Sequence, residues 1–282
     1  TSKDENVFNI AIKGNFDDCQ NLVKSMFADK KFSSDIKMSG VNSINWARII
    51  AQSVYYFYSY LSVEDASEPT NFSVPTGNFG DVYAGYLAKK MGLPIDKLIV
   101  ATNQNDILHR AISKGSYEAE KVSETISPSM DIQIASNFER LIFDLNNGDD
   151  QQTSLDMKNI KEKGQYLIND DKLNKISENF LSARMSEDET LEVIKNVYEK
   201  FAVVLDPHTA IGYGAFDKHN LKGNNIVLAT AHPCKFPGAI QSAINVKAEL
   251  PNELTFILDQ KENYDIVEND IEKVKQHIKD RT

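Results

Sequence analysis

The stretch Phe72-Ser-Val-Pro-Thr-Gly-Asn-Phe-Gly-Asp-Val-Tyr-Ala-Gly-Tyr-Leu-Ala-Lys-Lys-Met-Gly92 predicts a strand, a glycine turn and a helix in immediate succession. Its first residues suit a short buried strand that ends near Pro75. Apolar and small residues recur at helical spacing from Val82 onward, until Gly92 and Pro94 end the helix. A strand followed directly by a helix is the repeating unit of a parallel α/β sheet.

The turn between this strand and helix is a candidate anion site. We expect Gly77 and Gly80 to adopt positive φ, so that successive backbone N–H groups point into one concavity. The start of the helix adds the positive end of its dipole. Glycine turns also occur without a ligand, and the Asp81 carboxylate would repel an anion unless it caps the helix and turns away. The residues of the turn leave both interpretations open.

The rest of the chain extends the α/β pattern. Strands are predicted over residues 7–12, 97–102 and 225–230, and helices over 17–28, 43–61 and 105–114 and after Pro237. The helix over 43–61 is apolar nearly all round, which predicts burial between layers. We therefore predict an α/β fold, a parallel twisted sheet with helices on both faces.

Composition narrows the possible functions. The 282 residues carry a net charge of −10, which disfavours nucleic acids and anionic membranes as partners. No run approaches the ~18 apolar residues of a membrane span. Cys19 and Cys234 fit a reducing compartment, and no histidine or cysteine cluster has metal-binding spacing. We expect a soluble cytoplasmic protein without a metal site.

Several segments, in order, resemble the threonine synthase family of pyridoxal-phosphate enzymes. They are Gly14-Asn-Phe-Asp-Asp-Cys-Gln20, Val41-Asn-Ser-Ile-Asn-Trp-Ala-Arg-Ile49, the turn and helix from Pro75 to Pro94, Ser127-Pro-Ser-Met-Asp-Ile-Gln-Ile-Ala-Ser-Asn-Phe-Glu-Arg-Leu141, Thr230-Ala-His-Pro-Cys-Lys-Phe236 and, more weakly, Asp206-Pro-His-Thr-Ala210. The resemblance runs from about residue 7 to the last helix. It implies fold type II, the fold of the tryptophan synthase β subunit, with pyridoxal 5′-phosphate as the cofactor.

The resemblance also assigns site residues. It places Gly77, Asn78, Phe79, Gly80 and Asp81 around the cofactor phosphate. It places Thr230 against the pyridine nitrogen, where a hydroxyl can donate a hydrogen bond. Asn45 and Arg48, which share a helix face, are the candidate substrate-binding residues, because a guanidinium matches two oxygens of a phosphate or carboxylate.

Each of these assignments has a structural alternative. Phe79 packs under the turn in the simplest interpretation, and Thr230 satisfies nearby backbone groups at the end of a strand. Arg48 is equally compatible with a structural role at a domain boundary. For residues 127–140 we expect an internal polar network rather than direct catalysis, and for His208 and His232 ordinary structural roles.

The implied activity is that of a lyase in threonine biosynthesis, which converts O-phospho-L-homoserine and water to L-threonine and phosphate. The family's cofactor lysine stands in a Phe-Lys-Asp context that this sequence lacks. We therefore expect a carboxy-terminal portion with no catalytic lysine of its own, inactive alone, from a monomer or homodimer. Two alternatives remain, a related pyridoxal-phosphate lyase and a non-catalytic binder of phosphorylated metabolites.

We also expect the sequence to form two domains. The acidic loop over residues 63–70 marks the boundary. Residues 1–62 are expected to be the remainder of a small α/β domain with a connecting helix. Residues 63–282 are expected to form the large cofactor-binding domain, which ends in an amphipathic helix with Val267, Ile271, Val274 and Ile278 on its apolar stripe.

Overall fold

The computed structural model describes residues 4–14, 16–41 and 45–281. Its strands are β1 (Ile10–Lys13), β2 (Thr70–Pro75), β3 (Ile95–Thr102), β4 (Ser116–Glu118), β5 (Gln165–Leu167), β6 (Phe180–Arg184), β7 (Asn224–Val227) and β8 (Asp265–Glu268). Its helices are α1 (Phe16–Ala28), α2 (Lys30–Asp35), α3 (Trp46–Leu61), α4 (Gly80–Lys90), α5 (Ile107–Lys114), α6 (Phe138–Leu145), α7 (Asp150–Lys163), α8 (Asp170–Asn179), α9 (Glu187–Phe201), α10 (Pro207–Asp217), α11 (Pro237–Ile244) and α12 (Ile271–Lys279). Short 3₁₀ turns cover Pro128–Met130, Pro233–Lys235 and Asn252–Asp259.

The chain divides into two compact units. One combines Thr1–Gly40 with Leu250–Thr282, and the other is Val41–Glu249. In the first unit β1 pairs in parallel with β8, so the last strand and helix fold with the first ones. This division differs from the sequence-based boundary after residue 62, which assigned the final helix to the larger domain.

The larger unit is built on a four-stranded parallel sheet in the order β6-β3-β2-β7. Alternate side chains of β3 enter separate apolar clusters: Leu98 and Val100 pack with α4 and α5, whereas Ile99 and Ala101 pack with α10. Because residues along a strand point to opposite faces, helices cover both faces of this sheet. The predicted parallel sheet with helices on both faces is confirmed.

The helix α3 is buried on one side only. Ile49, Ser53 and Tyr56 face the core, at the spacing of one helical face, and α3 packs against α4. Tyr58 and Leu61 are 74% and 79% exposed. The prediction that this helix is buried between layers is therefore wrong for the described chain, because composition does not show how many neighbours a helix has.

The final helix also begins later than its apolar pattern predicted. Val267 lies in β8, and the helix starts at Ile271. Asp270 caps it, since one carboxylate oxygen accepts hydrogen bonds from the backbone N–H groups of Glu272 and Lys273, both at 3.0 Å. A strand and a capped helix in close succession give a spacing that resembles a single longer helix.

Candidate functional site

The turn between β2 and α4 presents a row of unpaired backbone amides. Thr76 N–H still donates to the sheet, to Ala101 O at 2.8 Å, and Tyr83 N–H makes the first helical bond, to Phe79 O at 3.1 Å. Among the described residues, no backbone N–H group from Gly77 to Val82 has a hydrogen-bond partner. Several convergent N–H groups at a helix start are a binding site for an anion such as phosphate.

The left-handed residue of this turn is Phe79. Its φ is 66°, whereas neither Gly77 nor Gly80 has a positive φ, so the prediction for the two glycines is wrong. A non-glycine residue in this region costs about 1–2 kcal/mol. The Phe79 ring is 1% exposed and lies edge-on to Phe138, with centroids 5.2 Å apart. Burial of an aromatic ring offsets that cost.

A glycine is required at residue 77 because another backbone segment lies close to it, and not because of its φ. A Cβ added there would lie 2.6 Å from the backbone oxygen of Ser129. Any side chain at residue 77 would therefore push apart the turn and the segment over residues 127–131. The two are joined again at Asn78, whose backbone oxygen accepts a hydrogen bond from Asn137 N–H at 3.0 Å.

The side chain of Asn78 can add a donor to the amide row. Its Oδ1 accepts a hydrogen bond from the Ser136 hydroxyl at 3.3 Å. A side-chain amide has both an acceptor oxygen and two N–H donors. With Oδ1 occupied by Ser136, the Nδ2 group is the part of Asn78 that can bind an anion.

Asp81 does not cap α4, contrary to the sequence-based expectation. Its Oδ1 accepts a hydrogen bond from the Tyr56 hydroxyl at 3.2 Å, and the same hydroxyl donates to Asp81 O at 2.8 Å. Burial raises the pKa of Asp81 to about 6, against the lowering effect of the Tyr56 hydrogen bond. The carboxylate is thus turned toward Tyr56 on α3, and its charge is lost as the pH falls through about 6.

Replacing Asp81 with asparagine is expected to stabilise the fold at neutral pH. The folded-state pKa lies above the ordinary 3.8, so ionisation of Asp81 destabilises the folded chain. Asp81→Asn should raise the free energy of unfolding by up to about 3 kcal/mol above about pH 6. The gain should disappear as the pH falls toward the ordinary pKa, because the wild-type carboxyl is then protonated in both states.

Urea denaturation followed by fluorescence of Trp46, the single tryptophan, measures this difference. Asparagine keeps an oxygen that can accept the Tyr56 hydrogen bond, so the comparison isolates the charge. Asp96→Asn, at an exposed position of β3, is the matched control and should have no comparable effect. An equal gain at acidic and neutral pH would contradict the assignment of the effect to ionisation.

Thr230 lies at the same edge of the sheet as the turn. The strand β7 runs parallel to β2 with Ser73 opposite Val227, and Leu228 N–H donates to Ser73 O at 3.0 Å. The chain therefore leaves both strands at their carboxyl ends, where open α/β sheets bind ligands. Thr230 is exposed there, three residues past the end of β7.

The candidate substrate-binding residues, Asn45 and Arg48, lie at the start of α3. Asn45 caps this helix, with its Oδ1 accepting a hydrogen bond from Ala47 N–H at 2.8 Å. Arg48 is exposed and donates from Nη1 to Val41 O at 3.2 Å. Asn42 and Ser43, which belong to the same motif, lie outside the described residues.

Contacts connect the start of α3 to the amide row. The Arg140 guanidinium lies over the Trp46 ring, with Cζ 5.2 Å from the ring centroid. Arg140 Nε donates to Asn137 Oδ1 at 2.9 Å, and Asn137 N–H donates to Asn78 O. The structure thus links the helix that carries Asn45 and Arg48 to the turn through the side chains of Arg140 and Asn137.

The polar segment over residues 127–140 forms a network, and sequence reasoning missed its partners. Asp131 accepts four hydrogen bonds, from Asn103 Nδ2, Asn105 Nδ2, Thr125 Oγ1 and Thr125 N–H, at 2.6 to 2.9 Å. Ser127 Oγ accepts from Asn103 Nδ2 at 2.9 Å. The missed signal was the pair of asparagines directly after β3, at the carboxyl edge of the sheet.

No group of three or more histidine, cysteine, aspartate or glutamate side chains among the described residues could hold a metal ion. None of the helices formed by these residues has both the length and the apolar character needed to cross a bilayer.

Comparison with solved structures defines the class of protein. The chain has a TM-score of 0.94 and 46% identity with the PLP-bound threonine synthase from Brucella melitensis, covering 99% of this chain and 61% of that one. For the yeast threonine synthase structure the TM-score is 0.89 at 42% identity, covering 100% and 60%. The fold is therefore fold type II, that of pyridoxal-phosphate-dependent enzymes.

The chain belongs to the threonine synthase family. It is 44% identical to the threonine synthase of Pseudomonas aeruginosa over 277 residues, covering 97% of this chain and 59% of that protein. It is 43% identical to the threonine synthase of Saccharomyces cerevisiae, covering 99% and 60%. The protein-family model described as "Threonine synthase, C-terminal" matches residues 209–278. The chain thus spans about three fifths of the length of these relatives.

Proposed function

We propose that this chain forms the cofactor-phosphate site of a pyridoxal-phosphate-dependent threonine synthase. The whole enzyme converts O-phospho-L-homoserine and water to L-threonine and inorganic phosphate. The observation that carries this proposal is the row of unpaired amides from Gly77 to Val82 at the start of α4. The similarity to a PLP-bound threonine synthase supports pyridoxal 5′-phosphate as the phosphorylated compound that such a row would bind.

The residues of the turn fit a phosphate group. The amides supply donors and the helix dipole supplies partial positive charge, which a chain with a net charge of −10 must concentrate locally. Gly77 leaves no side chain between the amides and the 127–131 segment, and Asn78 Nδ2 adds a donor. Phe79 and Gly80 set the path of the backbone, and Asp81 is held toward Tyr56.

Other residues have roles around the rest of the cofactor and substrate. When bound, pyridoxal 5′-phosphate supplies an electron-withdrawing ring that stabilises carbanion charge on the substrate. Thr230, at the carboxyl edge of the sheet, donates a hydrogen bond from its hydroxyl to the ring nitrogen. Asn45 and Arg48 bind the phosphate or carboxylate of the substrate, because an arginine fork pairs with two oxygens at once. The proposal includes a cytoplasmic monomer or homodimer that binds neither nucleic acid nor membranes.

Pyridoxamine 5′-phosphate is the probe that tests the phosphate site. Its amine cannot form a Schiff base with a lysine, so its binding is non-covalent, and comparison with pyridoxamine isolates the contribution of the phosphate. We expect it to bind about 100-fold more tightly than pyridoxamine, because two or more hydrogen bonds to a charged phosphate contribute about 1.5 kcal/mol or more each. The ligand's own fluorescence follows both titrations.

Inorganic phosphate is the matched competitor. Competition only at concentrations well above those of pyridoxamine 5′-phosphate supports a site that also recognises the ring. Equal affinity for inorganic phosphate and pyridoxamine 5′-phosphate would instead favour a general binder of phosphorylated metabolites. Equal binding of pyridoxamine and its phosphate ester would rule out the turn as the phosphate site.

A further inference from the structure

A buried aspartate–histidine pair lies behind the segment that contacts the phosphate turn. Asp206 and His208 are 1% and 3% exposed, at the start of α10. His208 Nδ1 lies 2.9 Å from Asp206 Oδ1. The His208 ring packs on Phe236, with centroids 4.9 Å apart. The His208 ring is thus held in one orientation by the Asp206 carboxylate on one side and the Phe236 ring on another.

The carboxylate of the pair is itself fixed. Asp206 Oδ1 also accepts a hydrogen bond from His208 N–H at 2.9 Å, and Oδ2 accepts from the Thr209 hydroxyl. Burial acts to raise the pKa of Asp206, but the hydrogen bonds from His208 and Thr209 outweigh it and leave the pKa below its ordinary value. Asp206 is therefore a charged acceptor, which favours a proton on His208 Nδ1.

The other ring nitrogen of His208 contacts Ser129, in the segment that packs against the turn at Gly77. His208 Nε2 lies 3.4 Å from Ser129 N, where the backbone N–H of Ser129 donates to the ring. A nitrogen that accepts carries no proton, so this contact and the Asp206 contact require the same neutral tautomer. Ser129 O, in turn, is the atom that would meet a Cβ at Gly77.

From this geometry we propose that Asp206 and His208 are positioning residues for the phosphate site, a role that rests on the proposed function. Asp206 fixes the tautomer of His208, His208 fixes Ser129, and Ser129 fixes the distance between its own segment and Gly77. In this role the pair acts through Ser129 rather than through the ligand itself. It sets how closely the amide row can approach a phosphate.

A packing role and a hydrogen-bonding role make different predictions. If the ring only fills space, a side chain of similar volume replaces it without loss. If Nε2 is needed as an acceptor, only a residue with an oxygen or nitrogen in a similar place can replace it. Glutamine carries such an oxygen and leucine does not. His208→Gln and His208→Leu therefore separate the two roles.

The experiment measures the binding of pyridoxamine 5′-phosphate to the chain and its variants. We expect His208→Leu to weaken binding about tenfold, the effect of one lost hydrogen bond, and His208→Gln to restore it to within about threefold of the wild type. The control is His109→Leu. His109 is a half-buried histidine of the same unit, whose Nδ1 lies 2.9 Å from Ser182 Oγ, and its removal should leave binding unchanged.

Two measurements on the ligand-free protein test the positioning step alone. Nitrogen-15 spectra should show the proton on Nδ1 of His208. Hydrogen exchange at the Ser129 amide should be faster in His208→Leu and return toward the wild-type rate in His208→Gln. These results do not depend on the ligand, so they remain decisive even if the phosphate site itself is rejected.

The outcomes that overturn the proposal are distinct. Equal binding by His208→Leu and wild type would show that the pair does not influence the site. Equally weak binding by the leucine and glutamine variants would show that an acceptor near the place of Nε2 does not restore the site, so the hydrogen bond to Ser129 would not be what positions it. An unchanged Ser129 exchange rate in His208→Leu would show that the histidine does not hold that amide. Unfolding followed by Trp46 fluorescence identifies any variant that fails to fold.

Discussion

Replacing Gly77 with alanine is expected to lower the affinity for pyridoxamine 5′-phosphate about 100-fold, a change of about 2.8 kcal/mol. The added Cβ would stand 2.6 Å from Ser129 O, a distance that no Cβ tolerates. The obstructing atom belongs to the backbone, so no side-chain rotation relieves the contact. Overpacking of this kind costs about 1–3 kcal/mol, and here it displaces the binding amides themselves.

The control for this substitution is Gly238→Ala. Gly238 lies in α11, and an added Cβ there meets nothing within 4 Å. In a helix alanine is favoured over glycine, so the control should be as stable as the wild type or slightly more so. Wild-type affinity in Gly77→Ala would show that the amide row does not bind the phosphate.

The strand–turn–helix unit could be predicted from the sequence because its signals are local. The apolar run of β2, the spacing of α4 and the breakers at Gly92 and Pro94 all act within a few residues of one another. The parallel sheet follows, since strands alternating with helices have few other stable arrangements. The capping box of Ser186 and Glu189 at the start of α9 depends on equally local residues.

The details of the turn depend on contacts that are distant in the sequence. Phe79 takes the left-handed conformation because Phe138 and Phe180 enclose its ring, and neither is near it in the chain. Asp81 turns to Tyr56, which lies 25 residues earlier. A glycine pattern shows that a turn is present, but it does not show which residue of the turn carries the unusual φ.

The positioning groups were the least predictable part of the site. His208 contacts Ser129 across 79 residues, and Asp131 binds asparagines 26 and 28 residues before it. Each is an ordinary polar residue in the sequence, where a structural role was expected for His208. Each gains its role from hydrogen-bond partners that are distant in the sequence, and only the fold of the whole unit brings those partners together.

Replacing Asp131 with alanine is expected to lower the free energy of unfolding by about 2–4 kcal/mol. Four hydrogen bonds end on this carboxylate, and two of their donors, Asn103 and Asn105, are 3% and 4% exposed. With alanine, Asn105 Nδ2 keeps only Ser123 O as an acceptor, and Thr125 N–H loses its acceptor, whereas Asn103 Nδ2 still reaches Thr125 Oγ1 and Ser127 Oγ. An unsatisfied buried donor costs about 1–3 kcal/mol, which is why the expected loss exceeds that of one hydrogen bond.

Urea denaturation followed by Trp46 fluorescence measures the loss, with Asp96→Ala as the exposed control, expected to lie within about 0.5 kcal/mol of the wild type. Asp131→Asn is the sharper comparison, since it keeps the shape but turns one acceptor oxygen into an N–H donor that faces other donors. Its stability should fall between those of wild type and Asp131→Ala. A loss in Asp131→Ala no larger than in Asp96→Ala would mean that water replaces the carboxylate. The network would then be too open to hold Ser129 against Gly77.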